Sequence, residues 1–365
     1  MMARKSCMTM YILVAAIAAG CSEKDERLGA IVISSGGGSV AYTVETETSQ
    51  FLMRDGERVG GEYERVGVPV FSPDGSSLAI VVTQGGQRQV MIDGEPASKQ
   101  RPGIGVPVWH PDSKSIAHTV LIGRKFVIVN GGVEQAGKYD AALAPVFSPD
   151  GKSLAVVVEV DGERMLKVNG ATMGDPLLIA ENGRLQRPTF SPDGSLVAYI
   201  VRAQGKVFLM KNGEPAGEEC LGVGQPVFSP DGKSLVWAEL TQSGWVLVRD
   251  GMHGDDAYSH MGTPVFSPDG KSLAFSVVKG SKRIMLKDGK PVGGTCRETG
   301  QPIFSPDGSQ IAFMACEDKW FVVKDGVRVP GDYDRPSDLE NSPDGRSIVL
   351  AGVQGGNVTR VVLAW

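Results

Sequence analysis

One motif returns along almost the whole chain. Phe-Ser-Pro-Asp-Gly begins at Phe71, Phe147, Phe190, Phe228, Phe266 and Phe304, with variants Trp-His-Pro-Asp-Ser from Trp109 and Asn-Ser-Pro-Asp-Gly from Asn341. The intervals are 38, 38, 43, 38, 38, 38 and 37 residues. An earlier, degenerate unit has Ser35-Gly36-Gly37-Gly38, and its Ser39-Val40-Ala41-Tyr42 matches Ser77-Leu78-Ala79-Ile80. Nine units are visible, the last truncated. A fixed period of this length demands that each unit bury its apolar faces on its neighbours, in a solenoid or a ring.

Each unit reads as four short strands. Pro264-Val265-Phe266 gives the first, and Ser267-Pro268-Asp269-Gly270 is tight-turn chemistry: Ser bonds the backbone, Pro presets φ and Gly accepts positive φ. The second strand, from Ser272 to Val278, has three consecutive apolar columns that recur between units, as at Leu273, Ala274 and Phe275. Such columns mean a strand covered on both faces. Lys279 to Lys282 forms a polar loop, Ile284 to Lys287 the third strand, and Asp288-Gly289 a two-residue hairpin turn. Equivalent turns are Asp55-Gly56, Asp93-Gly94, Asn130-Gly131, Asn169-Gly170, Asn212-Gly213, Asp250-Gly251 and Asp325-Gly326. A more polar fourth strand follows, and no segment has helical periodicity.

Four antiparallel strands in each of eight or nine units predict an all-β fold, the β-propeller. The run Phe-Ser-Pro-Asp-Gly-Lys-Ser-Leu-Ala resembles the repeat of TolB-like periplasmic proteins, related in shape to WD-repeat propellers. The resemblance covers residues 29 to 365, the expected propeller domain. It implies a binding scaffold, with accessory domains of peptidases and enzymes also known on such folds. Eight four-stranded blades are expected, with seven and nine as alternatives. Ala30 to Ile33 is the expected clasp, supplying the missing strand of the last unit.

The N-terminus carries a different signal. Arg4 and Lys5 precede an apolar run from Met8 to Ala19, then Ala18-Ala19-Gly20-Cys21 and a polar stretch. Residues 1–20 read as a secretory leader, too short in its apolar part to span a bilayer. Small residues before Cys21 resemble the bacterial lipobox, which implies acylation of Cys21 and a linker over 21–28. The expected location is the bacterial cell envelope, on the periplasmic side of a membrane or at the cell surface. The formal charge of −5 argues against a general nucleic-acid binder, which needs a concentrated basic face.

Catalysis has no motif here: His-Glu-x-x-His, Gly-x-Ser-x-Gly and Cys-x-x-Cys are all missing from the sequence. No cofactor and no metal is expected. The repeated turn aspartates are explained by turn chemistry, and Gly36 to Gly38 read as a turn rather than a phosphate cradle. His118 stands in a column of packed residues and is expected to be one of them. His110 and Ser113 replace turn Ser and Gly in the third unit, while His253 and His260 share an outer stretch with Asp255 and Asp256. Cys220, Cys296 and Cys316 are an odd number, and no disulfide framework is expected.

Alternation of turns in a meander puts the second-to-third-strand loops and the inter-unit links on one variable face. Loops held on a rigid scaffold are where binding residues gather. Arg88, Lys125, Arg164, Lys206, Arg283, Lys319 and Arg360 recur there, with Trp245 and Trp320 at the same level. They form a candidate basic-aromatic rim for an acidic protein partner or an envelope glycan. Five extra residues between Gly170 and Phe190 add a candidate loop containing Asp175, Glu181 and Arg184. The leading expectation is a lipid-anchored, non-catalytic scaffold; its rival is a lyase or hydrolase working in the central channel.

Overall fold

The computed structural model describes residues 15–16, 27–174, 187–203, 206–334, 336–354 and 357–365. The expected lipidation site Cys21 and the loop residues Asp175, Glu181 and Arg184 lie outside the described residues. The described chain forms nine antiparallel sheets of four or five strands. Numbered by their second strands, blades 1 to 9 contain Val40–Glu45, Leu78–Gln84, Ile116–Ile122, Leu154–Val160, Val197–Ala203, Leu235–Thr241, Leu273–Lys279, Ile311–Cys316 and Ser347–Gln354.

The five-stranded sheets arise where the innermost strand is broken in two. In blade 2 both Arg65–Val66 and Val70–Phe71 pair with the second strand, one at each end. Pro69 between them has no N–H to give to the ladder, which forces the interruption.

Local chemistry sets each turn. Ser267 Oγ accepts the Ser272 N–H at 2.9 Å and donates to Asp269 Oδ1 at 2.7 Å, and Asp269 Oδ1 also accepts the Lys271 N–H. The same net recurs at Ser72, Ser148, Ser191, Ser229, Ser305 and Ser342. It holds the Asp74, Asp193 and Asp269 carboxyls down to about 2, with the serine hydroxyl bond the largest cause. These aspartates are turn residues, as expected. Gly36 and Gly37 also form a turn with positive φ, and a Cβ on Gly37 would meet Val349 of blade 9 at 2.6 Å.

The Asp/Asn-Gly turns carry a second function. Oδ1 of Asp55, Asp93, Asn169, Asn212, Asp250, Asp288 and Asp325 accepts the first N–H of the second strand of its own blade. Blade 3 differs. Its turn is Gly131-Gly132, both with positive φ, and not Asn130-Gly131, because Asn130 still pairs with Ala117 in the ladder. Blade 3 therefore has no side chain to cap the Ile116 N–H from this turn.

The count of nine corrects the expected eight. The degenerate first unit forms a full sheet of its own, with Arg27–Ile33 innermost and paired with Val40–Glu45. Ala30 to Ile33 is therefore not a clasp for the last blade, because its ladder positions are taken by Val40, Ala41 and Tyr42. Blade 9 instead gains a two-residue pairing of Ala15–Ala16, within the expected leader, against Asn357–Ala364. Faces of neighbouring blades pack as nine separate apolar cores. The one that closes the ring puts Val40, Tyr42 and Val44 of blade 1 against Ala351 and Val358 of blade 9.

Candidate functional site

Antiparallel order places the inter-blade links and the second-to-third-strand loops on one face, where the links run inward to the channel. The residue before the channel-entry proline is Val68 in blade 2 and Val106 in blade 3, 56% and 48% exposed. In blade 4, Leu143 is 39% exposed, one step earlier in the link. Equivalent links hold Gly67, Gly105, Gly224, Gly262 and Gly300 at that step, where a Cβ would crowd the second strand. Three adjacent blades thus present an apolar crescent. The same pre-proline position in blades 5 to 8 is Arg187, Gln225, Thr263 and Gln301, a polar arc. Gln225 Nε2 donates to the Arg187 carbonyl and to Thr189 Oγ1, tying neighbouring blades together. A cavity of about 410 Å³ runs along the channel wall from this face to the Ser-Pro-Asp-Gly turns, lined by Val70, Phe71, Ser72, Val106, Trp109 and Arg187, among others, with no carboxylate and no imidazole among the described lining residues.

The basic-aromatic positions sit on this face mostly in ion pairs. Lys125 meets Asp140 at 2.5 Å, Arg164 meets Glu159 at 2.8 Å, Lys206 meets Glu219 at 2.6 Å and Lys319 meets Asp334 at 3.1 Å. Exposed pairs of this kind contribute little to stability but cancel the local field. Arg88 and Arg283 have no acidic partner among the described residues; Arg88 Nη1 donates to the Ile104 carbonyl at 3.3 Å. Arg360 is half-buried on the third strand of blade 9. Trp245 and Trp320 are half-buried against the apolar cores between blades 6 and 7 and between blades 8 and 9.

A cluster not foreseen from sequence lies between blades 5 and 6. Glu239, 5% exposed, lies with Oε1 2.8 Å from His253 Nε2, and its Oε2 accepts from Trp237 Nε1 at 3.2 Å. Cys220 lines the same 390 Å³ cleft, and its thiol donates to the Gly222 carbonyl at 3.3 Å. Burial, then the Glu239 charge, pushes that thiol up to about 11, so it is not a ready nucleophile. Among the described residues no three His, Cys, Asp or Glu side chains are placed to hold a metal ion. The sequence did carry a signal: Glu239 is the one acid in a column of Val44, Val82, Val120, Val158, Val201, Val277, Ala315 and Gly352.

Blade 3's departures from the consensus make contacts with both neighbours. His110 Nε2 lies 3.1 Å from the Gly151 carbonyl of blade 4, while Ser113, held at φ 63°, accepts the Asp74 N–H of blade 2 through its Oγ. The strained backbone is offset in part by that hydrogen bond.

These features define a class: a closed β-propeller with nine blades and an asymmetric channel mouth. Among solved structures the chain is similar to TolB from Acinetobacter baumannii, with 18% identity and a TM-score of 0.35 over 73% of this chain and 78% of that one. It is also similar to the Dos1 propeller, with 12% identity and a TM-score of 0.48 over 81% and 90%. No protein-family model and no curated protein matches the chain.

Proposed function

We propose that this propeller is a non-catalytic scaffold that takes a protein partner on its variable face, at a bacterial cell envelope, held to a membrane by lipid on Cys21. The observation that carries the reading is the crescent of Val68, Val106 and Leu143 at the channel mouth. Exposed apolar residues gathered on adjacent blades suit the centre of a protein interface, with polar and basic groups at its rim. Arg88 and Arg283 remain the basic positions available to an acidic edge of the partner. The channel cavity, lined mainly by aliphatic, aromatic and proline side chains with Ser35, Ser72 and Arg187, offers a place to bind rather than an acid–base pair.

The test is co-purification from cross-linked envelope extracts with the wild-type chain and with a Val68→Asp/Val106→Asp variant. Both residues are exposed, so the variant should keep the wild-type unfolding curve. A partner recovered by the wild type and lost by the variant is the expected result. Equal recovery by both chains would refute this placement. Cys21→Ser should move the protein from the membrane fraction to the soluble one, since several acyl chains on one residue anchor far better than one.

A further inference from the structure

Blades 2 and 3 meet across a cavity of about 410 Å³ whose deepest polar group is His118. The imidazole is 2% exposed, and both ring nitrogens are without a hydrogen-bond partner among the described residues. Burying a polar group unpaired forfeits its hydration with nothing in return, so such a group calls for a reason.

Equivalent interfaces show what is unusual. Arg101, Tyr139, Cys220 and Tyr333 each form the bridge that ends the outer strand of their blades. Each position is matched, in the following blade, by a residue of the second strand: His118, Val156 and Trp237, third in their strands, and Leu350, fourth in its own. Tyr139 shares an apolar core with Val156, Tyr333 with Leu350, and Cys220 packs on the core that contains Trp237. Those three pairs combine a large side chain with a smaller one within an apolar core, and Trp237 also borders a cavity of about 430 Å³ between blades 5 and 6. At blades 2 and 3 both members are polar, and Arg101 turns to Glu134 at 3.3 Å. Gly132 lines the cavity and, like Gly94 and Gly289 at the second turn position of their blades, carries no side chain.

The lining chemistry specifies an occupant. Ile116, Val120 and Val129 give apolar walls, while Lys99 and Arg101 against Glu134 leave one net positive charge. Burial lowers the His118 pKa to about 4, so the ring is neutral near pH 7 and offers one donor and one acceptor. A hydroxyl group can donate to the unprotonated ring nitrogen or accept from the protonated one. We propose that this cavity is a binding site for a small organic acid with an apolar body and a hydroxyl group, the carboxylate at Arg101 and Lys99 and the hydroxyl at His118.

The probe is 4-hydroxyphenylacetate, titrated by calorimetry and by ¹⁵N NMR of the His118 ring in the full chain. Expected are saturable binding, movement of the His118 ring resonances, and affinity at least about tenfold weaker for phenylacetate, which lacks the hydroxyl. His118→Phe, which copies Phe275 and Phe313 in the same column, should fold and lose binding; Arg101→Gln should weaken it about tenfold or more. If His118→Phe does not fold, the phenylacetate comparison and Arg101→Gln decide. No saturable binding to the wild type, unmoved His118 resonances, or equal affinity for the two acids would overturn the assignment.

Discussion

His253 Nε2 stands 2.8 Å from Glu239 Oε1, closing over a carboxylate that the blade 5–6 interface otherwise buries. The pair spans the second and fourth strands of blade 6, and Trp237 takes the other carboxylate oxygen. A buried carboxylate is tolerated because each oxygen has a partner.

Removing one partner should therefore cost more than removing both. His253→Ala should destabilise the protein by about 1–2 kcal/mol, a modest figure because the imidazole is half exposed. Glu239→Gln/His253→Ala should recover part of that loss, since no charge is then left buried. Urea unfolding of the double-mutant cycle measures this, and strictly additive effects would count against the coupling.

His118 gives the fold an acid-sensitive element. Its native pKa of about 4 lies below the ordinary 6.5, so between these values the unfolded chain binds more protons. Stability should fall as the pH drops from about 6.5 to about 4, by on the order of 3 kcal/mol, and that component should level off below pH 4. In His118→Phe this part of the pH profile should vanish. An unchanged profile would show that other groups are responsible.

Cys220 should resist alkylation in the folded protein. With the thiol pushed up to about 11, iodoacetamide at pH 8 should label it far more slowly than in denatured chain, read peptide by peptide by mass spectrometry. Glu239→Gln removes the second cause of the shift and should speed labelling. Rapid native labelling of Cys220 would contradict its half-buried placement beside Glu239.

The hairpin turns allow a clean substitution test. Asp288 holds φ at 51° and its Oδ1 accepts the Leu273 N–H at 2.8 Å. Asp288→Asn should be nearly neutral, since Asn169 and Asn212 do the same elsewhere in the ring. Asp288→Ala loses the cap and should cost about 1–2 kcal/mol by thermal or urea unfolding. Equal stability of the Asn and Ala variants would rule out the cap.

Much of the architecture is local and was therefore legible in the residues themselves. Ser267, Asp269 and Gly270 make their turn with partners at most five positions away, and Asp288 caps a strand 15 residues back within one blade. Repetition of those short-range choices determines four-stranded blades and their inward and outward faces. Nothing in one repeat states how many copies close a ring. That number follows from the angle at which apolar faces pack, and it was decided where Tyr42 meets Ala351, residues from opposite ends of the chain. The same holds for function. Glu239 with His253, and Arg101 facing His118, acquire meaning only when adjacent sheets bring them together, because burial and pairing are properties of the packed interface and not of either residue alone.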